Sequence, residues 1–240
     1  MRTLKNIGKL VSVSGNKNSR ASIRKSLVSI YLAQLSMQHG IREREIDQLV
    51  DFKRYSFHLK SLEWRDGHVT RLELLYIVAI IKSRLNPGNH FLEIGTFDGN
   101  TALNICNNLP DRSKLYTIDL PYDDAIVSGS LDYDAMLIDS EERRKKKHLE
   151  CHNVEQIYAD STKFDFSLIR FHGAFIDGGH EYNIVKSDSE KVIANIQRPG
   201  FVLWHDYDVV NDVGVLIRQL RKDFRIELIK DTRLCFLDLP

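Results

Sequence analysis

The chain has 240 residues, 42% hydrophobic and 28% charged, with a net charge of +1. That length suits one α/β domain with an extra segment and a real core, and the composition excludes a disordered or fibrous chain. The apolar run LLYIVAII (74–81) is closed by charge on both sides and falls short of the ~18–20 residues needed to cross a bilayer, so no transmembrane helix is expected.

The mild net charge hides an asymmetry. Residues 1–42 carry eight Lys/Arg and no acid, leaving 26 basic against 33 acidic residues in the rest. This Ser-rich arm lacks the apolar core of a cleavable secretory signal. A transit peptide, an arm facing an anionic membrane or other polyanion, and an ordinary basic surface are the readings open to it. Cys106, Cys151 and Cys235 fall in no CxxC or zinc-ligand spacing and read as thiols of a reducing, cytoplasmic compartment.

Along the chain, Ile23, Leu27, Ile30, Tyr31 and Leu35 recur at helical spacing. A second helix is expected around 42–60, through Ile46, Leu49, Val50 and Phe52. Thr70 with Glu73 three residues on predicts a capping box opening a third helix, which Pro87 and Gly88 end. Strand-like runs then alternate with helix-like ones. The strands are 90–95, 114–120, 154–160, 173–177 and 201–206; the helices are 100–109, 132–150, 166–170, 181–197 and 211–222. Two closing runs, 224–230 and 233–239, stand so close that only an antiparallel hairpin joins them. The expected fold is α/β: a Rossmann-like, doubly wound, seven-stranded sheet with a C-terminal antiparallel hairpin and an N-terminal helical segment. Residues 1–69 are taken as a basic helical lid or oligomerisation segment, and 70–240 as the main domain. The polar run EERRKKKH (141–148) reads as a solvated helix face rather than a nucleic-acid patch.

In such a sheet, ligands bind at the carboxyl ends of the strands. Those ends carry Glu93 and Gly95, Asp119, Asp160 with Ser161, Asp177 with His180, and His205 with Asp206. Any one of these has a bland reading as a cap or turn former; capping does not account for all five together. Asp119 follows Gly99 at the distance of a dinucleotide fold's ribose acid. The loop GTFDGN, however, puts Phe97 where a glycine would admit a pyrophosphate, and Glu93 and Asp98 flank it with charge of the wrong sign. The Tyr-x-x-x-Lys pair Tyr182 and Lys186 lies too near the glycine loop for a short-chain dehydrogenase and reads as one turn of helix. A cationic ligand with ribose and adenine but no phosphate fits better, and S-adenosylmethionine is one.

At this point the chain resembles a known family. EIGTFDGNTALNI resembles motif I of class I S-adenosylmethionine-dependent methyltransferases, and LYTIDLP their second motif. ADSTKFDFS, FIDGGHEYNIVKSDSEKV and RPGFVLWHDYDVVNDVGVLIRQL resemble the later motifs of a bacterial-type O-methyltransferase subgroup marked by D-G-x-H-x-Y and H-D. The resemblance covers about residues 70–240.

It implies that Glu93 and Gly95 line the methionine part of the cofactor, that Thr96 and Phe97 are cofactor-binding as well, and that Gly99, also cofactor-binding, opens the following helix. Asp119 would take the ribose hydroxyls, Asp160 and Ser161 the adenine edge, and Asp177 the methionine end where the acceptor arrives. The reaction implied is methyl transfer to a hydroxyl of a small molecule or sugar. A non-catalytic cofactor-binding module and an NAD-dependent oxidoreductase are the alternatives. Metal-dependent relatives carry Asp-Asp after the fifth strand where this chain has His205-Asp206. Asp177 and Asp206 are the candidate ligands for a divalent metal, Mg²⁺ or Mn²⁺. His180 and His205, with Asp177, are the catalytic candidates, because an acceptor hydroxyl must lose a proton and imidazole titrates near neutral pH. No specific nucleic-acid partner is expected; the basic arm suggests peripheral contact with an anionic membrane surface, or a homo-oligomer.

Overall fold

The structure, a computed structural model, describes residues 40–120 and 146–240. Residues 41–240 form one compact unit, distinct from residues 1–40. The expected helix at 23–35 and most of that at 132–150 lie outside the described residues.

One sheet contains β1 (Glu43–Arg44), β2 (Phe91–Ile94), β3 (Leu115–Asp119), β4 (Val154–Tyr158), β5 (Gly173–Ile176), β6 (Gly200–Trp204), β7 (Ile226–Ile229) and β8 (Cys235–Leu239). Their order is β1-β7-β8-β6-β5-β2-β3-β4. β8 runs antiparallel to β6 and β7, and the other pairings are parallel. The seven strands read from the sequence are present, and β1 adds a two-residue strand at the edge. From β2 the chain winds outward to β3 and β4, then returns to β5 on the other side of β2. This reversal leaves a crevice at the strand ends.

Helices α1 (Arg71–Arg84), α2 (Asn100–Cys106), α3 (Tyr182–Asn195) and α4 (Asp212–Leu220) cover the sheet. The period-two alternation of each strand divides the core. Phe91, Leu115, Phe175, Phe201 and Leu203 pack with α1 and α2; Leu92, Ile94, Ile118, Ile176, Val202 and Trp204 pack with α3 and α4. Strands buried on both faces read as continuous apolar runs, which is why they stood out in the sequence. Thr70 and Glu73 form the expected capping box of α1, each accepting the other's backbone N–H.

The expected helix over 42–60 is not there. Apart from β1, that stretch holds one 3₁₀ turn, Ile46–Gln48, and then an irregular strap running to Thr70. Phe52, Tyr55, Phe57 and Leu59 pack against the α1/α2 core. The strap's backbone is satisfied from outside: Asn104 Oδ1 accepts from Lys60 N at 2.8 Å and Asn108 Oδ1 from His58 N at 2.9 Å. Their amides donate to Ser61 O and His58 O. Two asparagines one turn apart, Asn104 on α2 and Asn108 just beyond its end, thus replace the internal hydrogen bonds of a helix.

Two further expectations change. Cys106 and Cys151 are joined as a disulfide, and Cys235 alone is a free, buried thiol among the described residues. Of the run read as a solvated face, Lys147 pairs with Asp98 and Glu63, and His148 is fully buried within a 3₁₀ turn, Lys147–Glu150.

Candidate active site

A cavity of about 440 Å³ opens at the strand ends. Of the residues expected to bind a cofactor, Gly95, Thr96, Phe97, Asp119, Asp160, Ser161 and Asp177 line it, and Glu93 and Gly99 do not. His180, His205 and Asp206 line it as well. The sheet order spreads these groups along a row: Asp177 after β5, Gly95 after β2, Asp119 ending β3, Ser161 after β4.

Both motif glycines are needed, for different reasons. Gly95 has φ +97, and a Cβ there would collide with the carbonyl of Asp177. Gly99, at φ +78, precedes α2, and its Cβ would collide with the His148 ring. Between them Phe97 adopts φ +49, and across the cavity Asp206 adopts φ +58. Left-handed non-glycine residues cost energy and gather at functional sites.

The two acids flanking the loop are turned inward. Glu93, Thr117 and Gln156 stand in one register row across β2, β3 and β4. Thr117 Oγ1 donates to Glu93 Oε2 at 2.6 Å, and Glu93 Oε1 has no partner among the described residues. Complete burial, helped by Asp177, Asp119 and Asp98, raises the Glu93 carboxyl to about 8 despite the Thr117 hydroxyl. Asp98 is 1% exposed, with His68 Nε2 at 3.0 Å and Lys147 Nζ at 3.3 Å. Burial opposes its ionisation, but His68, the Asn100 amide and Lys147 hold its pKa below the usual range. Asp98 therefore ties the strap and the Lys147–Glu150 turn to the loop, while Asp119 and Asp177 line the cavity on either side of Gly95.

The other half of the site is a cluster of acids and histidines. His205 Nδ1 lies 3.1 Å from Asp177 Oδ1 and 3.4 Å from Asp206 Oδ2, while its Nε2 lies 3.3 Å from Glu73 Oε2. Burial disfavours an imidazolium there, yet Asp177, Asp206 and Glu73 together raise the His205 pKa well above its ordinary value. His180 Nε2 sits 2.6 Å from Asp206 Oδ2, and Arg233 Nη1 2.7 Å from Asp206 Oδ1. Burial opposes ionisation of Asp206 too, and His180 and His205 nonetheless hold its carboxyl far below the carboxylate range. Asp177, His180 and Asp206 each bring a ligand atom within 4.8 Å of the others. Two carboxylates and an imidazole suit a divalent ion such as Mn²⁺, with His205 outside the set.

Glu73 and Arg233 were not foreseen as site residues. Glu73 was read only as half of a capping box; its Oε1 also accepts from Arg233 N at 2.8 Å. Arg233 belongs to the β7–β8 turn, and the pairing of Trp204 with Cys235 brings that turn to the end of β6. The hairpin was legible, but its place beside β6 was not. His68 reaches the cavity wall only because the strap lies over α2.

Residues 92–207 match a protein-family model described as a methyltransferase domain. No curated protein matches the chain. Among solved structures, precorrin-6y C5,15-methyltransferase from Geobacter metallireducens aligns with a TM-score of 0.50 at 11% identity, covering 79% of this chain and 97% of that one. An O-methyltransferase involved in tomaymycin synthesis from Streptomyces achromogenes, in complex with SAM, gives 0.49 at 16% identity, over 89% of this chain and 96% of its own. An O-methyltransferase from Bacillus cereus gives 0.47 at 14%, over 73% and 84%. Residues 92–207 are thus similar to a methyltransferase domain, and the strand order, with a crevice at its reversal, is that of a Rossmann-like sheet.

Proposed function

We propose that this chain moves the methyl group of S-adenosylmethionine to a hydroxyl of a small molecule, a sugar foremost. The observation that carries the reading is the meeting of two half-sites in one cavity: Gly95–Phe97 with Asp119, and Asp177, His180 and Asp206. Asp119 accepts from the ribose diol, and Asp177 stands near the sulfonium. Methyl transfer from sulfonium to oxygen is an in-line displacement, so alignment and exclusion of water supply most of the acceleration.

The acceptor hydroxyl must also lose a proton. In this reading His180 takes it, held at Nε2 by Asp206, which His205 and Arg233 fix in turn. His205 is assigned to holding Asp177 and Asp206 rather than to taking the proton, because both its ring nitrogens are engaged. The spacing of Asp177, His180 and Asp206 favours a second reading: a divalent cation bound by them would lower the hydroxyl's own pKa. A pure binding module has no use for this cluster.

Purified protein incubated with methyl-labelled donor and a panel of sugars, nucleotide sugars and small hydroxyl compounds should release labelled product and S-adenosylhomocysteine. A chain that binds the donor and methylates nothing on the panel is a binding module. Turnover should survive a chelator and fall about 10²–10⁴-fold in His180→Ala. Chelator inhibition reversed by Mg²⁺ or Mn²⁺ would assign the proton step to the metal reading.

A further inference from the structure

The turn Lys147–Glu150 and Cys151 after it hold α2 at both ends. At the start, Lys147 N donates to Asp98 O at 2.9 Å, and Lys147 Nζ lies 3.3 Å from Asp98 Oδ2. His148 is 0% exposed, and its ring fills the space that a Cβ on Gly99 would need. At the last residue of α2, Cys106 is joined to Cys151 by the disulfide. Asn153 Nδ2 adds a hydrogen bond to Cys106 O at 3.3 Å. The segment is a splint along α2, covalent at one end and held by packing and charge at the other.

The end held by packing is the one that borders the cavity. Thr96, Phe97, Asp98 and Thr101 line it, and the splint touches Asp98 and Gly99 among them. Neither ring nitrogen of His148 has a partner at hydrogen-bond geometry among the described residues, so position alone keeps the ring under Gly99. The disulfide fixes that position. It bridges residues 45 apart in sequence, and opening a link across so long a loop returns much conformational freedom. Cys106 is 5% exposed, whereas Cys151 is only partly buried, so an external thiolate has one sulfur to attack.

We propose that the Cys106–Cys151 disulfide is a thiol-sensitive switch on donor binding. Closed, it holds His148 and Lys147 behind the glycine loop and keeps that loop shaped for the donor; opened, it lets them withdraw, and donor affinity falls. The proposal rests on the reading of S-adenosylmethionine as methyl donor. The reductant is a dithiol. Its first thiolate attacks Cys151 Sγ, the S–S bond breaks, and Cys106 leaves and takes a proton. Its second thiolate then displaces Cys151 from the mixed disulfide, Cys151 takes a proton, and the dithiol closes into a cyclic disulfide. Two electrons and two protons pass to the protein.

Calorimetry on the full chain with S-adenosylhomocysteine, before and after treatment with dithiothreitol, tests this. The oxidised chain should bind about tenfold more tightly than the reduced chain, and reoxidation with oxidised glutathione should restore the affinity. Cys151→Ser should bind like the reduced wild type and ignore the dithiol. Coupling is reciprocal, so saturating S-adenosylhomocysteine should make the reduction potential of the pair about 30 mV more negative, the equivalent of that tenfold change. A Cys151→Ser chain that binds like the oxidised wild type overturns the proposal. So does a reduced wild type whose circular dichroism shows it unfolded, because the disulfide is then a general staple. A count of three free thiols in oxidised, denatured chain, where Cys235 alone is expected, overturns it as well. Binding in neither redox state overturns the proposed function together with the switch; equal binding in both overturns the switch alone.

Discussion

Glu73 lies in the first turn of α1, where the helix dipole and the capping box already favour a carboxylate. It accepts from Thr70 N and Arg233 N there, and its Oε2 lies 3.3 Å from His205 Nε2. His205 and Arg233 are also the groups that grip the two oxygens of Asp206. Glu73→Gln turns one of the two acceptor oxygens into a donor facing a donor. Unfolding in urea should show a loss of about 1–3 kcal/mol. Turnover on a screened acceptor should fall at least about tenfold, with donor affinity unchanged, because only the acid–histidine half of the site is disturbed. Thr70→Ala, which removes only the cap, should cost about 1 kcal/mol and leave turnover intact. Equal turnover losses in both variants would reduce Glu73 to a helix cap. On the cofactor side, Asp119→Ala should weaken donor binding by about 1–3 kcal/mol through lost charge-assisted hydrogen bonds. Calorimetry that finds no change would remove Asp119 from the ribose site.

At the scale of elements, α2 is seven residues long, too short to stand without tertiary support. The strap and the Cys106–Cys151 disulfide supply it, and Asn104 and Asn108 form the seam. Asn104→Ala and Asn108→Ala should each cost about 1–3 kcal/mol, since partly buried strap amides lose their acceptors. Amide hydrogen exchange should quicken at His58 in the Asn108 variant and at Lys60 in the Asn104 variant, with the sheet amides unaffected. Exchange that quickens everywhere at once would mean that the strap unfolds only with the whole domain. The helix wrongly expected over 42–60 has the same origin. Its apolar spacing was real, but those side chains pack on the α1/α2 core, and Asn104 and Asn108 take the strap's backbone hydrogen bonds. The capping box of α1 depends only on residues three apart, so it was legible.

At the scale of the molecule, oppositely shifted acids shape how stability follows pH. Glu93 has a folded pKa of about 8 against an ordinary 4.5. The folded state then keeps a proton that the unfolded chain has released, so stability falls as pH rises through that window. Glu73 is the reverse case: burial opposes its ionisation, but His205 and the Arg233 and Thr70 amides depress it to about 2. Its contribution is present above pH 4.5 and lost as pH falls toward 2. Glu93→Gln, which cannot ionise, should therefore gain on the wild type as pH rises, with urea midpoints at pH 5 and pH 8 as the readout. Parallel midpoints at both values would show that Glu93 is not titrating in the fold.

Alternating strands, cap residues and breakers depend on neighbours in the chain, and they sufficed to read the seven long strands, four helices of the sheet body and the polar residues at the strand ends. What the sequence could not disclose is which polar groups face each other. Glu73 and Arg233 stand 160 residues apart and meet through the placement of β8 beside β6. His148 fits beneath Gly99, and Asp98 turns its charge on the strap. Local periodicity is written in spacing; the partner of a buried charge is chosen by packing, because burial makes an unpaired charge costly and takes whatever donor the fold brings near.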